Sequence, residues 1–514
     1  MNRVFRCAFG LALVLAAAAA ARAEVRLPSL FSDHMVLQAE VQTVVWGWGD
    51  AGEKVTVSLA GQTQEATAGD NGRWQVTLDP LPVGGPHVLS VQAENAIRVE
   101  DVLVGEVWLG SGQSNMAMTV SRAANFEQEK AAASLPQIRM FTVERKVADE
   151  PQEDCLGQWV IASPETVGNF SATLYFFGRT LHEELKTPVG LINSSWGGTP
   201  IEAWIDVGMQ QTLPELEPML KRYDESIAAY DPAKAQAAYE KSLQRWKQAA
   251  QRARTAGETA PRQPQPPVDP KLAPRRPGVL YNGMIAPLVP YALRGFTWYQ
   301  GEANANRGTA ELYGLQLKAL IANWRGQWKD NELPMLFVQL PNYLKPQQQP
   351  SETAGWVIVR EEMFKTLRSV ANTGMAVTVD IGETEDIHPK NKQDVGRRLA
   401  QWALAETYGK DVVPSGPLYK SMEKHDGRIV IGFDYADSLA AQGGGKLEGF
   451  SIAGKDRQFV WAEAEIQGDT VVVSSPAVKD PQAVRYAWAT NPKANLVNRA
   501  GLPASPFRTD EWEE

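Results

Sequence analysis

The stretch Val107-Trp108-Leu109-Gly110-Ser111-Gly112-Gln113-Ser114-Asn115-Met116 decides the fold class. An apolar run that reads as a buried strand breaks off into small residues, which let the chain turn sharply at a strand end. A serine placed there can project its hydroxyl over the sheet, with following backbone N–H groups free to bind an oxyanion. The string is not G-x-S-x-G, because Met116 stands where the second glycine would be, and the α/β-hydrolase elbow is disfavoured. Taken alone, Gly-x-Ser after a strand is also ordinary turn chemistry.

Further along, apolar runs at 189–192, 296–299, 335–340 and 375–379 alternate with helical patterns. Leu174, Phe177, Leu181 and Leu185 share one helical face, and Leu312, Leu315, Trp324 and Trp328 roughly share another. This alternation predicts an α/β fold with a mostly parallel sheet covered by helices on both sides. Ligands in such folds sit beyond the carboxyl ends of the strands, so catalytic groups should follow strands closely. Upstream, residues 24–104 have period two, as in Val55, Val57 and Leu59, and predict an N-terminal β-sandwich-like domain. The α/β domain is expected over 105–410. Within it, 209–277 reads as an inserted helical arm followed by a Pro-rich strap, a lid or a surface embellishment. After it, 411–514 returns to short strands (428–433, 459–466, 470–474) and reads as a C-terminal β-rich domain.

Composition narrows the function. The chain has 514 residues, 44% hydrophobic and 22% charged, with a net charge of -9, so a nucleic-acid partner is disfavoured. Its 16 Trp fit core packing, and some could stack on sugar rings. Residues 1–23 carry Arg3 and Arg6, an apolar run and Ala21-Arg22-Ala23, which together read as a cleaved signal peptide. The run is too short for a good membrane span, so the expectation is export, into a bacterial periplasm, with no membrane attachment after cleavage. Removing the signal removes Cys7 and leaves Cys155 alone, without a local nucleophile signature.

A metal-free hydrolase working near neutral pH usually needs a histidine base. Of the five His, His34 and His87 fall in the N-terminal β region, His182 mid-helix and His425 in an exposed turn. His388 lies just past the strand at 375–379, with Glu385 and Asp386 close before it, either able to orient its imidazole. Two more loops follow strands: Asn193-Ser194-Ser195-Trp196-Gly197-Gly198-Thr199, whose glycines allow N–H donation, and Gln300-Gly301-Glu302-Ala303-Asn304, where Gln300 could donate. There is no H-E-x-x-H, Cys cluster or Gly-rich nucleotide loop, so neither a metal nor another cofactor is expected.

These strings resemble the sialate O-acetylesterase family of SGNH hydrolases. The likeness rests on the 107–116 stretch, Ser194-Ser195-Trp196-Gly197-Gly198-Thr199-Pro200, Trp298-Tyr299-Gln300-Gly301-Glu302-Ala303-Asn304 and Asp386-Ile387-His388-Pro389-Lys390-Asn391-Lys392. It extends to Tyr281-Asn282-Gly283-Met284 and Arg485-Tyr486-Ala487-Trp488. It implies a flavodoxin-like three-layer core with added β domains, Ser114 as nucleophile, His388 as base and Asp386 as its acid. Gly197, Gly198 and Gln300 would join the Ser114 N–H in the oxyanion hole. The wider SGNH pattern sets its acid three residues before the His, where Glu385 stands, and has Asn in place of Gln300. The implied activity is removal of O-acetyl groups from carbohydrate, by the family name 9-O-acetyl sialic acid. Alternatives are acetylxylan or acetyl-xyloglucan, or a carbohydrate-binding protein without catalysis. A sialic acid carboxylate calls for a cation, preferably Arg; Arg360 lies in a candidate core helix.

Overall fold

The computed structural model describes residues 24–306 and 308–512; the expected signal segment, 1–23, lies outside them. Seven strands form the central sheet: β1 (Ala96–Gly112), β2 (Leu135–Thr142), β3 (Trp159–Ala162), β4 (Val189–Ser195), β5 (Gly295–Tyr299), β6 (Met335–Val338) and β7 (Thr373–Ala376). Their order is β7-β6-β5-β1-β4-β2-β3, all pairs parallel except the edge pair β2–β3. β4 and β5 are buried along their whole length, as expected of parallel strands covered on both faces.

Helices cover both faces. Gly110 on β1 faces Leu174 of α2 (Ala172–Leu185), where an added Cβ would sit 2.8 Å from the leucine. The same face carries Gly374, against Trp402 of α7 (Lys392–Trp402). Trp298 of β5 points the other way, packing edge-on at 5.8 Å against Trp324 of α5 (Tyr313–Trp328), beside which lies α6 (Gly355–Ser369).

The proposed boundary at 104/105 falls inside β1. The first half of this 17-residue strand pairs with Gly84–Gln92 and its middle with Val36–Gln38; the second half joins β4 and β5. The N-terminal region and the α/β region share one hydrophobic core, running from Val25 to Leu418. Tyr291 helps fuse them: it touches Phe31 at 5.5 Å and donates to Val36 O at 2.7 Å. The C-terminal region has its own core around Ile431, Ile452, Val471 and Phe507. There the expected strand at 459–466 is two strands. Phe459–Trp461 pairs with Phe450–Ala453 and Glu463–Gln467 with Thr470–Ser474, so the chain crosses from one small sheet to the other at Ala462.

Arg360, considered above as a substrate cation, is fully buried. Its guanidinium donates to Leu340, Pro341, Ala489 and Thr490 carbonyls, which clamps α6 to the C-terminal region. The insertion holds α3 (Glu217–Ala228) and α4 (Pro232–Ala256), then an irregular return past Pro277. Among the described residues no helix is long and apolar enough to cross a membrane.

Candidate active site

Four loops that leave the carboxyl ends of parallel strands meet around Ser114. β1 ends at Gly112, whose φ is +137° and where an added Cβ would stand 2.2 Å from Tyr299 O. Only glycine fits, and the chain turns there into the short helix α1 (Ser114–Ala117) with Ser114 at its head. Two bonds fix the turn: Gln113 N–H to Tyr299 O at 3.0 Å and Trp196 N–H to Gly112 O at 3.0 Å. Gln113 Oε1 also accepts from Ala303 N–H at 3.2 Å, tying the Ser114 turn to the loop after β5.

The loop after β4 brings Gly197 against the serine, where an added Cβ would lie 3.2 Å from Ser114 Cβ. The backbone N–H groups of Ser114, Gly197 and Gly198 donate to no protein acceptor among the described residues. Gln300 is placed differently. It is buried, and its amide donates to Thr199 O at 3.2 Å and to Asn304 Oδ1 at 2.8 Å. Both of its N–H groups are engaged, one on the loop after β4 and one within its own loop, so the structure does not bring a free Gln300 donor to Ser114.

His388 reaches the site through its neighbour: Asn115 Nδ2 donates to Ile387 O at 3.0 Å. Asp386 Oδ1 accepts the His388 backbone N–H at 2.9 Å and stands 3.3 Å from the ring Nδ1. The first of these contacts, helped by attraction to the ring, holds the Asp386 carboxyl below the usual carboxylate range. Burial pulls the His388 imidazole below its ordinary 6.5, against the pull of Asp386; Lys392 and Arg122 push the same way as burial. Glu385 is exposed and makes no contact with His388 among the described residues.

Several residues around the site had no role assigned from sequence. Asn115 accepts from Lys392 Nζ at 2.6 Å and donates to Glu302 Oε1 at 2.6 Å. Behind them Asn304 donates to Glu202 at 2.9 Å, and Tyr223 of α3 donates to the same carboxylate at 3.3 Å. Burial pushes the Glu202 carboxyl above its usual range, with the Asn304, Tyr223 and Gln316 donors opposing. All of these polar residues except Glu202, Tyr223 and Gln316 stand inside the quoted strings. Their signal was proximity to the motif residues, which spacing alone could not turn into contacts.

The insertion also touches the site. Arg275, on its return strap, donates from Nε to Gly198 O at 2.8 Å. Arg145 lies over the Trp196 ring at 5.7 Å. The other candidates are elsewhere. His34 pairs with Asp101 at 2.7 Å, His182 bonds Thr187 O at 2.7 Å, and His87 and His425 lie on strands outside the central sheet. Cys155 is buried, which pushes its thiol up to about 12. A groove of about 750 Å³ lined by Arg294, Asp330, Trp402 and Tyr435 lies near the amino ends of β5 to β7, away from Ser114.

This arrangement has close relatives. Residues 104–257 and 274–405 match the family described as carbohydrate esterase, sialic acid-specific acetylesterase. The chain belongs to this family. It is an ester hydrolase. Sialate O-acetylesterase of Rattus norvegicus is 33% identical, with 94% of each chain covered. That of Homo sapiens is 31% identical over 97% of this chain and 95% of its own. A crystal structure described as a novel carbohydrate acetylesterase from Xanthomonas citri is 38% identical, with a TM-score of 0.80, over 95% of this chain and 100% of that one. The family match skips 258–273, the Pro-rich part of the strap, and resumes just before Arg275.

Proposed function

We propose that the esterase removes O-acetyl groups from carbohydrate through an acetyl-enzyme on Ser114, with 9-O-acetylated sialic acid as its substrate. The observation that carries the mechanism is that Ser114 stands against Gly197, whose N–H is unengaged, while the next residue, Asn115, bonds Ile387 O directly before the Asp386-paired His388. His388 takes the Ser114 proton as Oγ attacks the acetyl carbonyl, and Asp386 steadies the imidazolium. The N–H groups of Ser114, Gly197 and Gly198 hold the oxyanion. His388 then protonates the leaving sugar hydroxyl, and water, activated by the same imidazole, releases acetate. Gln300 serves this hole as a loop brace. The layered sheet-and-helix core is read as the SGNH three-layer type, and export to the periplasm, expected from residues 1–23, belongs to the same reading.

For the substrate, similarity to the sialate enzymes is joined by a cation. Arg275 is exposed and meets no carboxylate among the described residues, although the chain as a whole is acidic. Its Nε is anchored on Gly198 O, which leaves the outer guanidinium edge open to a carboxylate. A second reading, acetylxylan or acetyl-xyloglucan, is compatible with the Xanthomonas citri relative, which is more similar in sequence and is described only as a carbohydrate acetylesterase, with no sugar named.

The test compares kcat/KM for 9-O-acetyl sialic acid and its carboxyl methyl ester, with acetylated xylan and xyloglucan fragments alongside. The acid should be preferred over the methyl ester by roughly 10- to 100-fold, the worth of one charge-assisted bidentate contact. Arg275→Gln should bring that ratio close to one. A wild type that ignores the carboxyl and prefers the plant fragments would replace the substrate and keep the mechanism.

A further inference from the structure

Lys392 opens helix α7 four residues past His388, and its side chain points inward. It is fully buried, its Nζ donates to Asn115 Oδ1 at 2.6 Å, and it lies 5.3 Å over the Tyr299 ring. Among the described residues no carboxylate bonds this ammonium directly, which makes its burial costly, and the fold keeps it beside Asn115, the residue after Ser114. Asn115 is the joint. Its Oδ1 takes the lysine, while its Nδ2 holds both Ile387 O of the base loop and Glu302 Oε1 of the loop after β5. The other Glu302 oxygen, Oε2, is buried without a partner among the described residues. One asparagine directly after Ser114 therefore carries three elements, and Lys392 fixes which way its amide is turned.

We propose that Lys392 is a positioning residue of this esterase: through Asn115 it locks the nucleophile helix to the base loop, and its buried charge acts on His388. The inference rests on Ser114 and His388 being nucleophile and base. The charged groups facing Lys392 are Glu302 from the β5 loop, Glu383, Asp386 and His388 from the base loop, and Arg122 from the segment after α1. Burial pulls the Lys392 ammonium down to about 7, against the attraction of Glu302, Glu383 and Asp386. It is therefore charged over the range below neutrality in which His388 titrates. A cation there disfavours the imidazolium and keeps the base unprotonated in mildly acidic solution.

The experiment is the pH profile of kcat/KM with p-nitrophenyl acetate for the full mature chain and for Lys392→Gln, Lys392→Met and Lys392→Arg, with Ser114→Ala as blank. Lys392→Gln is uncharged, shorter by one bond and keeps an N–H donor, so it tests the charge even if Lys392→Met fails to fold. Removing the charge should raise the acid limb by roughly half a pH unit or more in the Gln and Met variants. Losing the donor should cut kcat roughly tenfold further in the Met variant, with KM little changed. Lys392→Arg should return the limb toward wild type. A Gln variant with the wild-type acid limb overturns the proposal, even if its kcat is lower, because a purely structural lysine would do the same. An active Ser114→Ala overturns instead the reading on which the proposal rests.

Discussion

A carboxylate helps an imidazole base only from a position where it can meet Nδ1. Asp386 and Glu385 are adjacent in the chain, yet only Asp386 stands at 3.3 Å from that nitrogen, held there by the His388 backbone N–H. The Asp386 side chain is 45% exposed, so solvent screens its attraction and its main service is orientation. Asp386→Asn should lower kcat roughly 10- to 1,000-fold, less than at a fully buried triad acid, and Glu385→Gln should stay within about twofold. The reverse ranking in steady-state kinetics would give the role to Glu385. The pH dependence has a definite sign. The base works when neutral and its pKa is lowered, so activity should persist below pH 6.5 and fall only as pH drops through the lowered value. Asp386 opposes that lowering, so in Asp386→Asn the acid limb should move lower still, opposite to the shift expected for Lys392→Gln. Local sequence placed both acids near the histidine without ranking them, because a loop without periodicity does not reveal which side chain turns inward; only the family resemblance pointed to Asp386.

Elements were more readable where burial writes a pattern. The expected apolar runs at 189–192 and 296–299 lie within β4 and β5, because strands covered on both faces are apolar at every position. β1 misleads for the same reason. Its first residues alternate between exposed and half-buried or buried, the rest are buried throughout, and the change of period looks like a domain boundary although the strand continues. Its last residue gives the sharpest test at this scale. Gly112→Ala combines a positive φ with a methyl 2.2 Å from Tyr299 O, a strain on the order of 3 kcal/mol or more. We expect a clear loss of thermal stability and a far larger loss of acetate release, measured by unfolding and by activity on the folded fraction. A stable, active Gly112→Ala would mean that the turn before Ser114 is not held as described.

Across the whole molecule, sequence separated three regions by their patterning, and the structure shows which of them share a core. The N-terminal strands are continuous with the central sheet through β1, whereas the C-terminal sheets have a core of their own and are clamped through Arg360. Neither fact can be read from local periodicity, since both depend on contacts between residues far apart in the chain. The insertion is similar: its composition announced a helical arm and a strap, but the approach of Arg275 to Gly198 appears only in three dimensions. All of this scaffolding converges on one hydroxyl. The most direct test is acetate release from O-acetylated sialic acid by the purified protein and by Ser114→Ala. The first should release acetate steadily and the second at least about 1,000-fold more slowly, with the folded state unchanged. Near-wild-type release by Ser114→Ala would contradict Ser114 as the nucleophile.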